Sequence, residues 1–177
     1  MMMNRKNATL IVIDVQEKLM PAIDGAQGVI SNARRLIDAA QLLDVETVFT
    51  EQNAGGIGHT VSELTDGSNA EVFHKKHFDT TREGEILAHI PSERELVVCG
   101  CEAHVCVMQT VLGLLGAKRH VFLACDAVGA RFEHNKQAAL ERMKTHGAEI
   151  VTTEMVLFEW LETSDHPRFK DVLKLIR

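Results

Sequence analysis

The sequence has no surplus of positive charge. Its 177 residues carry 19 lysines and arginines against 25 aspartates and glutamates, which gives a formal net charge of −6. The chain has no basic stripe, and aromatic residues are not interleaved with basic ones as they are in nucleic-acid-binding surfaces. A nucleic acid is therefore not an expected partner, and a small-molecule substrate suits this chain better.

Long apolar runs are missing near the start of the chain. Only the four residues 10–13 form an unbroken aliphatic run before Asp14. A signal-peptide core needs at least about seven apolar residues and a membrane-spanning helix about 20. We therefore expect a cytoplasmic protein without a membrane partner.

Cysteine is scarce, and its spacing excludes two classes of small protein. The four residues are Cys99, Cys101, Cys106 and Cys125. They match neither a disulfide framework nor the two-plus-two pattern of a zinc site. Reduced thiols are the natural expectation.

Apolar runs alternate with helical patterns from one end of the chain to the other. With 45% hydrophobic residues and no repeat, low-complexity tract or linker, the sequence predicts a single domain over residues 1–177. The predicted strands are 8–16, 46–52, 70–76, 95–100, 120–128 and 148–153, and the predicted helices are 31–43, 82–90, 105–118, 133–147 and 154–162. This alternation predicts an α/β protein with a mainly parallel, six-stranded sheet covered on both faces.

In a sheet of this kind, ligands bind outside the carboxyl ends of the strands. The polar residues at predicted strand ends are Asp14, Glu51, Gln52, Lys75, Glu102, Cys106 and Asp126. The glycine-rich stretch NAGGIGHT (53–60) is expected to be a loop in which no helix starts at the glycines, so it does not predict a phosphate-binding loop.

Cys106 is the most informative of these residues, because the segment GCEAHVCVMQT takes a strand end into a helix. A thiol at a helix N-terminus is favoured as the thiolate, the form that attacks a carbonyl carbon. The competing interpretation is a buried, inert cysteine that packs as a small hydrophobic residue.

A cysteine hydrolase also needs a base, a positive charge and donors for the oxyanion. Asp14 can accept the thiol proton, Lys75 can offset its charge, and the turn 102–106 can supply backbone N–H groups. Each has an ordinary alternative: Asp14 could cap a loop, and Lys75 could be one of a solvated pair with Lys76.

Two further residues near the site have structural interpretations. Asp126 is expected to organise its own turn and to pair with Arg131. His104 lies two residues before Cys106 in a tight turn, where its ring is not expected to reach the sulfur. His104 is therefore expected to line the pocket rather than to act as the base.

Four ordered segments, IVIDVQEK, VFHKKHF, VVCGCEAHVCVMQT and CDAVGAR, resemble the signature segments of the isochorismatase-like cysteine hydrolases. The C-terminal segment LFEWLETSDHPRFKDVLKLIR resembles the subgroup of isochorismatase domain-containing proteins. This resemblance covers nearly the whole chain. It implies a three-layer α/β/α, Rossmann-like fold.

The resemblance also implies a catalytic triad of Asp14, Lys75 and Cys106. Lys75 is preferred to Lys76 because Lys75 and Phe78 match the family pattern of Lys, two residues and Phe. A cis peptide bond is implied at Glu102–Ala103, with the backbone N–H groups of Glu102 and Cys106 as oxyanion donors. The expected substrate pocket consists of Gln16, Gln52, Phe78 and His104.

The departures from the family narrow the activity. Nicotinamidases bind a metal through an Asp-x-His segment after the second strand, where this chain has TEQNAGGIGHT. Glu51 and His59 do not rebuild that site, so no metal and no cofactor are expected. Isochorismatase itself cleaves a vinyl ether without a nucleophilic cysteine, so Cys106 argues against that reaction.

The leading hypothesis is a cysteine hydrolase that cleaves an amide, carbamoyl or related C–N bond. The alternatives are a non-catalytic binding protein with the same fold, or a thiol redox protein in which Cys101 resolves an oxidised Cys106. The C-terminal helices are apolar on more than one side, which favours a homo-oligomer. The alternative is that the tail folds back over the first helix.

Overall fold

The computed structural model describes residues 2–68 and 70–177. Within these residues, six strands and eight helices follow in chain order, with short 3₁₀ turns between some of them. The strands are β1 (Ala8–Ile13), β2 (Glu46–Gln52), β3 (Glu71–Lys75), β4 (Glu95–Cys101), β5 (Val121–Gly129) and β6 (Glu149–Val151). The helices are α1 (Ala26–Leu42), α2 (Ala54–Ile57), α3 (Ser62–Thr65), α4 (Gly84–His89), α5 (Met108–Gly116), α6 (Glu133–Thr145), α7 (Thr153–Leu161) and α8 (Phe169–Leu175).

The strands form one sheet in the order β3-β2-β1-β4-β5-β6, and the pairings between neighbouring strands are parallel. Chain order reverses between β1 and β4, the point at which α/β sheets open a crevice for ligands. The predicted parallel, six-stranded sheet is confirmed.

Side chains of β1 alternate between the two faces of the sheet, as the period of a strand requires. Leu10 and Val12 belong to a core layer under α1, α7 and α8. Ile11 and Ile13 belong to a second layer under α4, α5 and α6. Helices therefore cover both faces, and the expected three-layer α/β/α fold is confirmed.

A glycine allows the two central strands to approach at the site. Gly100 pairs with Ile13, beside an irregularity in the pairing of β4 with β5. Its φ is +123°, and a Cβ there would lie 2.0 Å from the Ile13 carbonyl oxygen. Only glycine fits this position without displacing the end of β1.

The C-terminal tail folds back over the first helix. Val172 of α8 is buried, α8 contacts α1, and the Arg35 Nε donates to the Leu175 carbonyl. On α7, Met155 and Phe158 stay exposed; these two residues are called the α7 apolar face. No helix within residues 2–68 and 70–177 is long and apolar enough to cross a membrane.

Candidate active site

Asp14 follows β1 directly and is almost fully buried. Its φ of +49° lies in the left-handed region, which is uncommon for a residue with a side chain and is often found at functional sites. Neighbouring β2 fixes this conformation: the Asp14 N–H donates to the Thr50 carbonyl at 3.1 Å, and the Thr50 hydroxyl donates to Asp14 Oδ1 at 2.6 Å. The carboxylate thus has one defined orientation.

Lys75 ends β3 and turns its ammonium towards Asp14. The Nζ lies 2.7 Å from Asp14 Oδ2, and the two side chains are 0% and 1% exposed. Lys76, the alternative from the sequence, is exposed. The structure therefore joins Asp14 to Lys75 in a buried ion pair.

Cys106 lies in a π-helical turn, Ala103–Val107, that leads into α5. The N–H groups of Val105 and Val107 both donate to the Glu102 carbonyl, at 3.0 and 3.2 Å. The second of these bonds spans five residues, the wider spacing typical of π-turns, which are frequent at functional sites. Cys106 is 6% exposed and packs in the layer under α4, α5 and α6.

The charge state of Cys106 differs from the expectation of a preformed thiolate. Burial, together with the negative charge of Asp14, raises the pKa of the Cys106 thiol to about 12, although Lys75 opposes this effect. A cysteine buried without enough positive charge keeps its proton. Cys106 is therefore expected to be a protonated thiol at neutral pH rather than a thiolate.

Asp14 is the carboxylate that lies beside the Cys106 thiol. Its interaction with the thiol contributes directly to the raised pKa of Cys106. Among the described residues, Asp14 Oδ2 is buried and has no hydrogen-bond donor in good geometry, although Lys75 Nζ is at 2.7 Å. Asp14, Lys75 and Cys106 thus lie together at the carboxyl end of the sheet.

The turn before Cys106 corrects one prediction from the resemblance. The cis peptide bond joins Cys101 and Glu102, so its prediction at Glu102–Ala103 was wrong by one residue. The predicted β4 ended at Gly100, whereas the strand runs to Cys101, and the turn therefore begins at the Cys101–Glu102 bond.

The expected pair of Asp126 with Arg131 is also wrong. The Arg131 Nε donates to Glu102 Oε1 at 2.8 Å, which ties the segment after β5 to the turn that carries Cys106. Asp126 Oδ1 instead accepts from the backbone N–H and the hydroxyl of Thr153, at 2.8 and 3.0 Å. It stabilises the start of α7.

The four expected pocket residues occupy different places. Gln16 is fully buried and its amide bonds to backbone groups of Gln52 and Gly58, so these groups are not free for a substrate. The amide of Gln52 bonds to Lys75 and to the Lys76 carbonyl.

The other two expected pocket residues differ in their surroundings. Phe78 is 49% exposed and contributes to a groove of about 560 Å³ that Arg82, Gln109 and Leu112 also line. His104 is half-buried, and its Nδ1 has no hydrogen-bond partner among the described residues.

Sequence reasoning missed Thr50, which is the group that orients Asp14. It lies opposite Ile13 in the pairing of β1 with β2. Aligning the segments LIVID and TVFTE as neighbouring parallel strands would have found it, because the two strand ends then coincide. A threonine inside an apolar strand otherwise resembles any strand residue.

Glu51 lies at the end of β2, where nicotinamidases of the family have their metal-binding segment. Its Oε1 accepts from the Thr60 N–H and hydroxyl, and its Oε2 lies 3.0 Å from His59 Nδ1 and 3.4 Å from His74 Nδ1. Burial alone would raise the pKa of Glu51, but the hydrogen bonds from Thr60 and His59 hold it below its usual range. Residues 2–68 and 70–177 contain no group of three or more histidine, cysteine and acidic side chains placed to hold a metal ion.

Comparison with known proteins agrees with this architecture. The chain is 35% identical over 176 residues to isochorismatase domain-containing protein 2 of Xenopus laevis, covering 98% of this chain and 85% of that protein. It is 34% identical over 178 residues to the secreted isochorismatase effector Isc1 of Phytophthora sojae, covering 97% of this chain and 85% of that protein.

Among solved structures, the MAR1 ribonuclease of Caenorhabditis elegans superposes with a TM-score of 0.92 at 37% identity, covering 99% of this chain and 92% of that one. Residues 8–155 match the model of the isochorismatase domain. This chain therefore belongs to the isochorismatase family.

Proposed function

We propose that this protein is a cysteine hydrolase that cleaves a C–N bond of a small amide or carbamoyl compound through a thioester on Cys106. The observation that carries the proposal is the buried Asp14–Lys75 ion pair, with 2.7 Å between its charged atoms, acting on a thiol whose pKa is raised to about 12. An ion pair is costly to bury, and a cysteine that only packs in the core does not require one beside it.

The first step is the attack on the carbonyl carbon. As the Cys106 sulfur forms its bond to carbon, the thiol proton passes to the Asp14 carboxylate and the carbonyl oxygen becomes an oxyanion. We infer that the backbone N–H groups of Glu102 and Cys106 bind this oxyanion. The Lys75 ammonium stabilises the negative charge that is shared between sulfur and carboxylate during the transfer.

The second step breaks the C–N bond. Asp14 returns its proton to the leaving nitrogen, which departs as ammonia or an amine and leaves an acyl thioester on Cys106. Asp14, again a carboxylate, then accepts a proton from water as the water attacks the thioester. The C–S bond then breaks and Asp14 passes this proton to the departing sulfur, so that the products are the free acid and the restored thiol.

The burial of the site supports a small substrate. Cys106 is 6% exposed and Asp14 1%, so little space around them is open to a large substrate. The groove beside Phe78, about 560 Å³ in volume, lies next to Lys75 in the chain, and we propose that it holds the remainder of the substrate, since typical ligand pockets measure about 300–1,000 Å³.

RNA cleavage is a second candidate, because the Caenorhabditis elegans relative is named a ribonuclease. The charge of this chain argues against it: a net charge of −6 repels a polyanion unless a basic surface concentrates the opposite charge. A thiol redox role has less support. Cys101 packs in the layer under α1, α7 and α8, and Cys106 packs on the opposite face of the sheet.

A substrate screen tests the proposal. Purified protein is incubated with a library of small amides, carbamoyl compounds and ureas, and the release of ammonia or amine is measured, with an RNA oligonucleotide in parallel. We expect amine release that Cys106→Ala abolishes and Asp14→Asn lowers at least about 100-fold, the size of a general-base contribution. RNA cleavage that survives Cys106→Ala, with no amide cleaved, would contradict the proposal.

A further inference from the structure

The Lys75 ammonium has an acceptor besides Asp14 that the triad does not include. Its Nζ donates to Gln52 Oε1 at 2.8 Å and to the His77 carbonyl at 3.4 Å, and it lies 2.7 Å from Asp14 Oδ2. A lysine ammonium carries three protons; two are donated to Gln52 and His77, and Asp14 Oδ2 lies at ion-pair distance. The position of the ammonium is set by Gln52 as well as by Asp14.

The Gln52 side chain is itself held at both ends. Gln52 pairs with Lys75 across the β2–β3 ladder, and its Nε2 donates to the Lys76 carbonyl at 2.7 Å. Because a carbonyl can only accept, the amide nitrogen must face Lys76 and the amide oxygen must face Lys75. The orientation of the side-chain dipole follows from this bond.

Gln16 fixes the backbone on which Gln52 sits. The Gln16 Oε1 accepts from the Gln52 N–H at 2.8 Å, and the Gln16 Nε2 donates to the carbonyls of Gln52 and Gly58, at 3.1 and 2.6 Å. Gln16 is fully buried, two residues after Asp14 in the chain. The same segment therefore carries the carboxylate and braces the strand end that holds its counter-ion.

We propose that Gln52 is a positioning residue that holds the Lys75 ammonium between Asp14 and Cys106, with Gln16 as the brace that keeps Gln52 in place. The inference rests on the proposed function, in which Lys75 is the cation of the site. A neutral amide suits this role because its oxygen satisfies the ammonium without cancelling the positive charge. A carboxylate in its place would neutralise the field that Lys75 exerts on the thiol.

Two substitutions at Gln52 separate these effects. Gln52→Glu keeps the size and the acceptor but adds a negative charge next to Lys75. Gln52→Met keeps much of the volume but removes the acceptor and frees the ammonium. The added charge of Gln52→Glu opposes the positive field of Lys75 at the Cys106 sulfur, and Gln52→Met weakens that field because the ammonium is no longer held in place. Both substitutions therefore disfavour the Cys106 thiolate. Lys76→Met is the matched control, because it removes an adjacent, exposed lysine charge.

The test is the rate at which iodoacetamide alkylates Cys106 between pH 7 and 11, followed by mass spectrometry of the Cys106 peptide. We expect Gln52→Glu to be alkylated about tenfold more slowly than the natural protein at each pH, equivalent to one unit of pKa. Gln52→Met should be slowed several-fold and Lys76→Met less than about twofold. If Gln52 has only a structural role, its substitution would lower the free energy of unfolding but leave the alkylation rate of Cys106 at each pH unchanged.

A second measurement needs no reaction of the thiol. The Lys75 ammonium, observed by nitrogen-15 NMR and assigned with Lys75→Met, should exchange its protons at least about tenfold faster in Gln52→Met than in the natural protein. Because Gln52→Glu matches the natural side chain in size, it decides the question even where Gln52→Met fails to fold.

Unchanged alkylation and unchanged ammonium exchange in a folded Gln52 variant would overturn the role of Gln52 and leave the hydrolase proposal standing. Slower alkylation in both variants, with no amide cleaved by the natural protein, would support Gln52 and refute the hydrolase. The two failures are thus distinguishable.

Discussion

Replacing Lys75 with methionine should lower the free energy of unfolding by about 3–5 kcal/mol, because it leaves the Asp14 carboxylate buried without its counter-ion. The side chains of the pair are 0% and 1% exposed, with 2.7 Å between their charged atoms. At that distance the attraction is about 6 kcal/mol for an effective dielectric constant near 20. Desolvation of both groups offsets much of this attraction, but the single substitution removes the attraction and keeps the cost of burying Asp14.

The double variant Asp14→Asn/Lys75→Met sharpens the test. It removes both charges, so it should be more stable than Lys75→Met alone, with a coupling energy of about 3 kcal/mol between the two sites. Urea unfolding of the natural protein, both single variants and the double variant gives the complete cycle. Lys76→Met, at an exposed position, is the control and should change stability by less than about 0.5 kcal/mol.

Two results would show that the pair is not coupled in this way. One is a loss below about 1 kcal/mol for Lys75→Met, the size typical of an exposed ion pair. The other is a double variant whose loss equals the sum of the two single losses, because the two side chains would then act independently.

Three further predictions concern stability and assembly. Burial raises the pKa of Cys101 and of Cys106 to about 12 from a reference value of 9.0, so above pH 9 the unfolded chain releases protons that the folded protein keeps. The free energy of unfolding should therefore fall as pH rises from 9 towards 12, by about 1.4 kcal/mol per pH unit for each such thiol. Cys106→Ala should remove the contribution of one thiol to this slope. A slope that the substitution leaves unchanged would count against the raised pKa of Cys106. Gly100→Ala should destabilise the protein by about 3 kcal/mol or more, because its Cβ would lie 2.0 Å from the Ile13 carbonyl oxygen. Gly28→Ala on α1, where a Cβ would have nothing within 4 Å, should be neutral or stabilising. Equal melting temperatures for the two variants would contradict the argument that a side chain at Gly100 strains the backbone. Light scattering at micromolar concentration should give a multiple of the 19.6 kDa chain mass because the α7 apolar face is uncovered, and a monomer mass would exclude the oligomer.

The six strands could be predicted from the sequence because each strand carries its own apolar run. The short helices α2 (Ala54–Ile57) and α3 (Ser62–Thr65) were missed, and α2 begins in the stretch 53–60 that was expected to be a loop. Asp14, Lys75 and Cys106 could be found because polar residues at strand ends are few and parallel strands bring their carboxyl ends to one edge. The apolar run of β1 followed directly by Asp14 is the clearest example.

The charge state of Cys106 could not be predicted in the same way. The sequence places the thiol at a helix start, which favours a thiolate, but burial and the carboxylate of Asp14 outweigh that influence. Both depend on packing between segments that lie far apart in the chain. The contacts of Thr50 with Asp14 and of Gln52 with Lys75 were missed for the same reason, because each arises from pairing between neighbouring strands.

The packing of the C-terminal helices α7 and α8 could also not be predicted from the sequence. The apolar positions of α7 and α8 predict helices, but not which surface each helix covers. In the structure α8 lies on α1 and buries Val172, so only the α7 apolar face remains to favour association. The choice between the two arrangements depends on the shape of α1, which periodicity does not describe.

The proposed mechanism depends above all on a thioester between Cys106 and the substrate. Acid quenching of the protein during turnover of an amide from the screen, followed by intact-mass and peptide mass spectrometry, detects this intermediate. We predict an adduct on the Cys106 peptide equal in mass to the acyl fragment without its amine, absent in Cys106→Ala and removed by hydroxylamine. Turnover with an unmodified Cys106, or an adduct on another residue, would show that the mechanism is wrong.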